Sequence, residues 1–186
     1  MEQGALNQSA WLHLKKLSET KFQSTVIDTN NTWGYQIQPN TTWEKGLSSL
    51  EIQQLEHLFG FSFPDDYVQM LQVMNGFDLP HVSFDPDNGI IDHYERRCYT
   101  YPDDYKQTQW LVQLVRENRD VVDTVLSEAG YNSKLIEGFI PLYGQRILVV
   151  STDKSCSPVL SVHGDDVIVY GDSLLTYWYY EFDLVP

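Results

Sequence analysis

The segment of residues 46–78, GLSSLEIQQLEHLFGFSFPDDYVQMLQVMNGFD, constrains the fold more than any other part of the chain. Ser48 followed by Glu51 has the spacing of a capping box, in which the hydroxyl and the carboxylate bind backbone amides that the first helical turn leaves open. Gly60 stands where a left-handed residue ends a helix. We therefore predict a helix between Ser48 and Gly60, with an apolar face made by Ile52, Leu55, Leu58 and Phe59.

A second helix is predicted to follow directly. Pro64 opens it, because a first-turn position does not need the amide hydrogen that proline lacks. Asp65 and Asp66 lie in that first turn, where negative charge meets the positive end of the helix dipole, so we interpret them as capping residues. Gly76 ends the helix. Its apolar stripe consists of Tyr67, Val68, Leu71 and Met74.

The string E-x-x-x-G-F-x-F-P-x-D-Y followed by M-N-G resembles the signature of the SUKH superfamily, which includes the fungal cell-wall assembly regulator proteins and many bacterial immunity proteins. Phe63 departs mildly from the pattern, because the family usually has Leu there. Residues 139–182 also resemble the family's sheet and final helix, and Arg146 matches a basic position that we interpret as an internal salt-bridge residue. The signature positions, with a structural role implied, are Glu56, Gly60, Pro64, Asp66, Tyr67, Asn75 and Gly76.

Length, composition and this resemblance together give the expected fold. A chain of 186 residues with 42% hydrophobic and 13% aromatic residues fits one domain with a packed interior. We predict a mixed α/β (α+β) domain whose central, mostly antiparallel sheet, built by residues 139–170, is flanked by helices at residues 48–75 and 104–129. Residues 46–186 form the SUKH-like domain. Residues 1–45 add an N-terminal helix and an edge segment to the same domain.

The other segments are less strongly specified. Residues 6–19 have the pattern of a short amphipathic helix, and the alternation from Trp33 to Ile37 indicates an edge strand. Residues 79–103 are rich in Pro, Asp and Asn, which favours loops with one or two strands. The helical pattern after residue 103 is expected to divide into two helices near Asn118 and Asp120.

Targeting and redox features indicate a cytoplasmic protein. No window has the roughly 18 apolar residues of a membrane span, and the first ten residues lack the basic start and apolar run of a secretory signal. Cys98 and Cys156 are far apart and lie in no CxxC pair, so we expect reduced thiols rather than a disulfide framework or a zinc site.

The sequence contains no strong catalytic or cofactor-binding motif. The string D-P-D-N-G at residues 85–89 is similar to a calcium loop, but its Gly is at the fifth position instead of the sixth, so an acidic turn fits better. A metal site or an acid and base pair could be formed by His81, His93, Asp92 and Glu95, although surface or core histidines are the simpler interpretation. We expect a protein without enzyme activity, with no catalytic residues, no metal and no cofactor.

The charge indicates the kind of partner. Residues 1–45 carry four acidic and four basic side chains, so the whole formal charge of −14 belongs to residues 46–186. Such a field repels nucleic acid and anionic membranes and speeds encounter with a basic protein, although plain solubility is the alternative explanation. The resemblance implies an immunity protein that neutralises a basic toxin domain by binding it. The alternative is an intracellular scaffold or regulatory module of the cell-wall assembly regulator type.

The stretch that least resembles the family, residues 85–104, is predicted to bind this partner. Tyrosines can anchor an interface while carboxylates steer a basic surface toward it. An exposed acidic loop with buried tyrosines is the alternative, and the interface would then lie around Asp165, Asp166 and Asp172. The predicted partner-binding residues are Asp85, Asp87, Asp92, Tyr94, Glu95, Tyr99, Tyr101, Asp103 and Asp104.

Overall fold

The structure is a computed structural model that describes residues 2–32, 34–92, 98–152 and 157–185, and only the backbone of residues 2–7, 91 and 92. Its described residues form a mixed α/β fold in which every strand pair is antiparallel. The elements are α1 (Glu2–Gln23), β1 (Trp43–Lys45), α2 (Ser49–Phe59), α3 (Asp65–Val73), β2 (Met74–Phe77), β3 (Val82–Asp85), β4 (Gly89–Asp92), α4 (Tyr105–Glu117), α5 (Arg119–Glu128), β5 (Ile136–Tyr143), β6 (Arg146–Ser151), β7 (Val159–His163), β8 (Asp166–Gly171) and α6 (Leu174–Glu181).

The capping box that opens α2 is present as predicted. The Ser48 hydroxyl accepts a hydrogen bond from the Glu51 N–H at 3.3 Å, and the Glu51 carboxylate accepts one from the Ser48 N–H at 2.7 Å. Gly60 ends the helix in the left-handed region, with φ of 84°. The local signals at both ends of this helix are therefore confirmed.

Helix α3 ends earlier than the sequence analysis predicted. Val73 is its last residue, and Met74 already has extended dihedral angles. Residues 74–77 instead form β2, which pairs with β1 and places Trp43 opposite Phe77. The prediction of helix up to residue 75 is wrong there, because tertiary pairing with β1 overrides the helical apolar spacing of Met74.

The central sheet has four strands in the order β5-β6-β7-β8. It spans residues 136–171, which confirms the predicted antiparallel sheet at residues 139–170. Successive side chains of a strand point to opposite faces, and both faces of this sheet are covered. On β6, Leu148 and Val150 belong to one hydrophobic cluster, whereas Ile147 and Val149 belong to a second.

Helices cover both faces of the sheet. The first cluster contains buried residues of α1, α3 and α6, such as Trp11, Tyr67 and Trp178. The second contains Leu111 of α4 and Leu126 of α5. The sheet is thus the middle layer between two helical layers, as the predicted flanking helices required.

The N-terminal segment contributes directly to the first cluster. Trp11, Leu14 and Phe22 of α1 are buried in it, and the Ser18 hydroxyl accepts a hydrogen bond from the Trp43 indole at 2.8 Å. Of the edge strand predicted at residues 33–37, the described residues show one antiparallel bridge, in which the Gln36 N–H donates to the Val82 carbonyl at 2.7 Å and the Gln36 carbonyl accepts from the Val82 N–H at 3.0 Å. Trp33 itself lies outside the described residues. The side chain of Gln36 also binds both backbone polar groups of Asp28, at 2.7 and 2.9 Å, and so holds the preceding loop.

The segments between the α3 corner and the sheet also match the sequence pattern. Strands β3 and β4 form a hairpin within the region predicted to hold one or two strands. Asn118 separates α4 from α5, which confirms the predicted division of that helical stretch.

Candidate protein-binding surfaces

The signature residues at the α2–α3 corner bind one another. The Glu56 carboxylate accepts a hydrogen bond from the Phe63 N–H at 2.7 Å, so it joins the end of α2 to the start of α3. Gly60 donates its N–H to the Glu56 carbonyl at 2.8 Å. Phe63 and Pro64 are buried behind this contact. These bonds are internal to the fold.

The acidic residues of the first turn of α3 differ in environment. Asp65 is exposed, whereas Asp66 is half-buried and accepts a hydrogen bond from the Tyr67 N–H at 2.8 Å. Burial raises the pKa of Asp66, because desolvation penalises its charged form. The Tyr67 ring is buried, and burial likewise raises the pKa of its hydroxyl. Both residues therefore face the interior of the corner.

Asn75 and Gly76 of β2 fix the chain that leads into α4. The Asn75 side chain donates to the Tyr101 carbonyl at 2.6 Å and accepts from the Tyr101 N–H at 3.1 Å. Gly76 has φ of 76°, and a Cβ at this position would lie 2.8 Å from the Thr100 Cα. The close approach of two backbones requires glycine here.

Comparison with known proteins assigns the family. A model of the SMI1 / KNR4 family (SUKH-1) matches residues 46–174, which is more than half of the chain. The chain belongs to this family. The SUKH resemblance found from the α2–α3 signature is thereby confirmed, and the match includes the whole four-stranded sheet. None of the curated proteins compared with the chain matches it.

Three of the predicted partner-binding residues of this SUKH-1 chain face the interior. Tyr101 is only 2% exposed and donates its hydroxyl to the Pro141 carbonyl at 2.8 Å. Tyr99 is half-buried and donates to the Gly144 carbonyl at 2.8 Å. Asp104 is 8% exposed and accepts from the Thr100 N–H at 2.7 Å. The two tyrosines hold residues 98–104 against the end of β5, and Asp104 binds within the segment, so this geometry leaves the three side chains little surface for direct partner contact.

The remaining predicted residues divide between the surface and the undescribed part of the chain. Asp87 and Asp103 are exposed. Asp85 ends β3, and hydrogen bonds from the backbone N–H groups of Asn88 and Asp87 lower its pKa. This supports the acidic-turn interpretation of the D-P-D-N-G string. The Asp92 side chain, Tyr94 and Glu95 lie outside the described residues, and the partner-binding role of the segment stays a prediction.

His81 is a core residue. It is buried, its ring stacks on Phe77, and its Nε2 lies 2.7 Å from the Tyr143 hydroxyl. His93, its predicted companion, lies outside the described residues. Within the described ranges, no group of three or more His, Cys, Asp or Glu side chains is placed to hold a metal ion.

Arg146 makes the internal salt bridge that the sequence predicted. Its Nε lies 3.2 Å from the Glu181 carboxylate, and its Nη1 donates to the Ser161 hydroxyl at 2.6 Å. Its guanidinium also lies 4.1 Å from the centre of the Tyr170 ring. This cluster supports the outer half of the sheet, where β7 and β8 meet α6.

The second acidic surface of the sequence analysis lies at the two ends of β8. Asp165 and Asp166 are exposed at its start, and Asp172 is exposed just beyond its end. Between them, Ile168 and Tyr170 are exposed apolar side chains. Sequence reasoning found the carboxylates but missed this apolar surface, because exposure depends on which strand lies at the edge of the sheet.

A shallow groove lies between α2 and the chain before α4. It has a volume of about 420 Å³ and is lined by Leu55, Leu58 and Pro102, with polar side chains at its rim. The exposed Asp103 follows Pro102 directly. Because Pro102 lines the groove, Asp103 lies at its border. No helix among the described residues combines the length and apolar character needed to cross a membrane.

Proposed function

We propose that this SUKH-1 protein is a cytoplasmic immunity protein that neutralises a bacterial toxin domain by binding it, without catalysis. The observation that carries the proposal is the net charge of −14, which belongs entirely to residues 46–186, nearly the same range as the family match. Family membership supports a non-catalytic binding role. The charge adds the chemistry of the partner, a basic protein rather than nucleic acid or an anionic membrane.

Two of the described arginines lie within ion pairs. Arg119 is paired with Asp123 at 2.7 Å and Arg146 with Glu181 at 3.2 Å. The exposed carboxylates Asp87 and Asp103 remain available to attract a basic surface. Long-range attraction of this kind raises the association rate more than the final affinity.

The experiment that tests the proposal is co-expression with the toxin domain encoded immediately upstream of the gene. We expect the protein to restore growth and to form a stoichiometric complex with that domain. A toxin domain inactivated at its own active site is the control, because it should still bind. Continued toxicity in the presence of a stable excess of this protein would overturn the proposal. Partners that are housekeeping proteins, in the absence of a neighbouring toxin gene, would favour the scaffold alternative.

A further inference from the structure

Strand β8 is the outermost strand of the central sheet. Among the described residues it pairs with β7 and with no strand on its other side. The two strands are joined by Gly164 and Asp165, a two-residue turn with glycine in the left-handed region. The outer side of an edge strand presents unpaired backbone donors and acceptors, to which another chain can add.

The register shows which backbone groups of β8 point outward. In an antiparallel pair, facing residues alternate between those that bind each other and those that turn their N–H and C=O away. Val162 of β7 donates its N–H to the Gln145 carbonyl at 3.1 Å, on the side away from β8. Its partner Val167 therefore turns its own backbone groups away from β7, and so does Val169 two residues later.

The accessible part of this edge is around residues 168–170. Val167 is 6% exposed, whereas Val169 is half-buried and Ile168 is 50% exposed. Tyr170 is exposed on the same face as Ile168, where it also packs against the Arg146 guanidinium. An added strand would thus find backbone hydrogen-bonding groups beside two apolar side chains.

The residues of β8 do not protect the edge in the usual way. Natural edge strands are commonly blocked by lysine, proline or a bulge that twists the edge away. Residues 166–171 contain neither lysine nor proline, and their one register irregularity falls at Tyr170, so residues 166–169 pair regularly with β7. The charges that are present lie at the ends of the strand and leave its centre apolar.

The carboxylates at the two ends of β8 determine which kind of strand can pair with it. Antiparallel pairing of two copies would bring Asp165 and Asp166 of one copy close to Asp172 of the other. Parallel pairing would place each carboxylate beside its own counterpart. Both arrangements oppose like charges across a strand pair, which is destabilising. A strand with lysine or arginine at its ends and apolar residues between them meets opposite charge at both ends.

We propose that the β8 edge, the outward-facing backbone of residues 166–170, binds an extended segment of a basic protein as an additional strand. Main-chain hydrogen bonds to Val169 supply the binding geometry, and Ile168 and Tyr170 contact alternate side chains of the added strand. The inference rests on the proposed function only for the identity of the partner, a toxin domain.

Amide hydrogen exchange measured by NMR on the full chain provides the first test. We expect the amide of Val169 to become protected when the neighbouring-gene toxin domain binds. It should also become protected with the peptide Lys-Lys-Val-Thr-Val-Thr-Val-Lys-Lys, and not with its counterpart carrying glutamate in place of lysine. The Ile168 amide, which faces β7, should be protected from the start.

Each outcome decides a different claim. Toxin binding without protection of Val169 would overturn the β8 edge and leave the proposed function standing. Protection by the peptide, in a protein that does not bind the toxin domain, would overturn the proposed function and leave the β8 edge standing. If neither the toxin domain nor the peptide protects this amide, the inference is overturned. Protection that grows with protein concentration alone would show that a second copy occupies the edge, which also overturns it.

A pair of substitutions provides the second test. Ile168→Lys places a charge on the β8 edge, and Leu12→Lys makes the same change at a similarly exposed position of α1, outside the predicted binding segments, since Ile168 is 50% and Leu12 56% exposed. We expect Ile168→Lys to weaken toxin binding about tenfold or more, whereas Leu12→Lys changes it less than about twofold. Equal effects of the two changes would show that the added charge acts in general and would overturn the assignment to the β8 edge.

Discussion

Asn75 binds both backbone polar groups of Tyr101, donating to its carbonyl at 2.6 Å and accepting from its N–H at 3.1 Å. One buried side chain thus performs the pairing that a neighbouring strand would otherwise perform. The contact connects a SUKH-1 signature residue in β2 to the chain just before α4. The structural role of the signature residue Asn75 is thus to hold a segment that lies 26 residues later in the chain.

Removing this contact should destabilise the protein strongly. Asn75→Ala leaves the N–H and C=O of Tyr101 buried without a partner, and we expect the free energy of unfolding to fall by about 2–4 kcal/mol. Denaturant unfolding measures the change. Asn88→Ala in the exposed β3–β4 turn is the control and should stay within about 0.5 kcal/mol of the wild type. Similar losses in the two variants would contradict the role given to Asn75.

The aromatic ring of Tyr67 provides a second prediction. Because the ring is buried in the first hydrophobic cluster, Tyr67→Ala should lower the free energy of unfolding by about 3–5 kcal/mol. Tyr180→Ala removes the same atoms from an exposed position of α6 and should change little. Thermal and denaturant unfolding compare the two. An unchanged midpoint for Tyr67→Ala, together with lost toxin binding, would make Tyr67 an interface residue instead.

Two glycines with similar backbone angles separate conformational cost from steric cost. Gly60 and Gly76 both have positive φ, but a Cβ at Gly60 would meet no atom within 4 Å, whereas one at Gly76 would meet Thr100. Gly60→Ala should cost about 1–2 kcal/mol, the penalty for an L-residue in the left-handed region. Gly76→Ala should cost clearly more, because the chain around Thr100 must move as well. Unfolding free energies that are equal for both variants would refute the close approach.

The half-buried carboxyl of Asp66 predicts a dependence of stability on pH. Burial raises the pKa of Asp66 in the folded state. The protonated carboxyl therefore contributes to folding stability fully below the unfolded-state pKa of about 3.9, and this contribution is lost as the pH rises through the folded-state pKa. Asp66→Asn removes this loss. The free energy of unfolding of Asp66→Asn, relative to that of the wild type, should therefore increase from about pH 3 to about pH 7. Asp65→Asn, at the exposed neighbour, corrects for the loss of one charge, and a flat difference from it would contradict the prediction.

The parts of the fold that sequence could predict depend on interactions between near neighbours. The capping box joins residues three apart, so Ser48 and Glu51 alone indicate where α2 begins. β2 has no local signal, because its pairing partner β1 begins at Trp43 and the partners of Asn75 and Gly76 lie at residues 100 and 101. The same contacts turn Tyr101 inward, and they explain why an acidic and aromatic stretch that looked like a surface is partly core. The β8 edge required knowledge of strand order, which composition does not contain.

The structure divides the two adjacent carboxylates at the start of α4 into different roles. Asp104 is buried against the Thr100 N–H, whereas Asp103 is exposed beside the α2 groove. Asp104→Ala should lower the free energy of unfolding by about 1–3 kcal/mol, because it leaves a buried donor without this acceptor. Asp103→Asn should leave stability unchanged. Chemical denaturation distinguishes the two variants before any partner is added.

Asp103 should instead affect the rate of association with the toxin domain. Combined with Asp87→Asn, Asp103→Asn removes two exposed charges that attract a basic partner, and we expect association to slow by about threefold at low salt. The loss should shrink as salt rises from about 0.01 M to about 1 M, since the screening length falls from about 30 Å to about 3 Å. Stopped-flow measurements at both salt concentrations test this, with dissociation rates as the internal control. Association that slows equally at both concentrations would show that Asp87 and Asp103 act by short-range contact, and an unchanged rate at low salt would remove them from the steering surface.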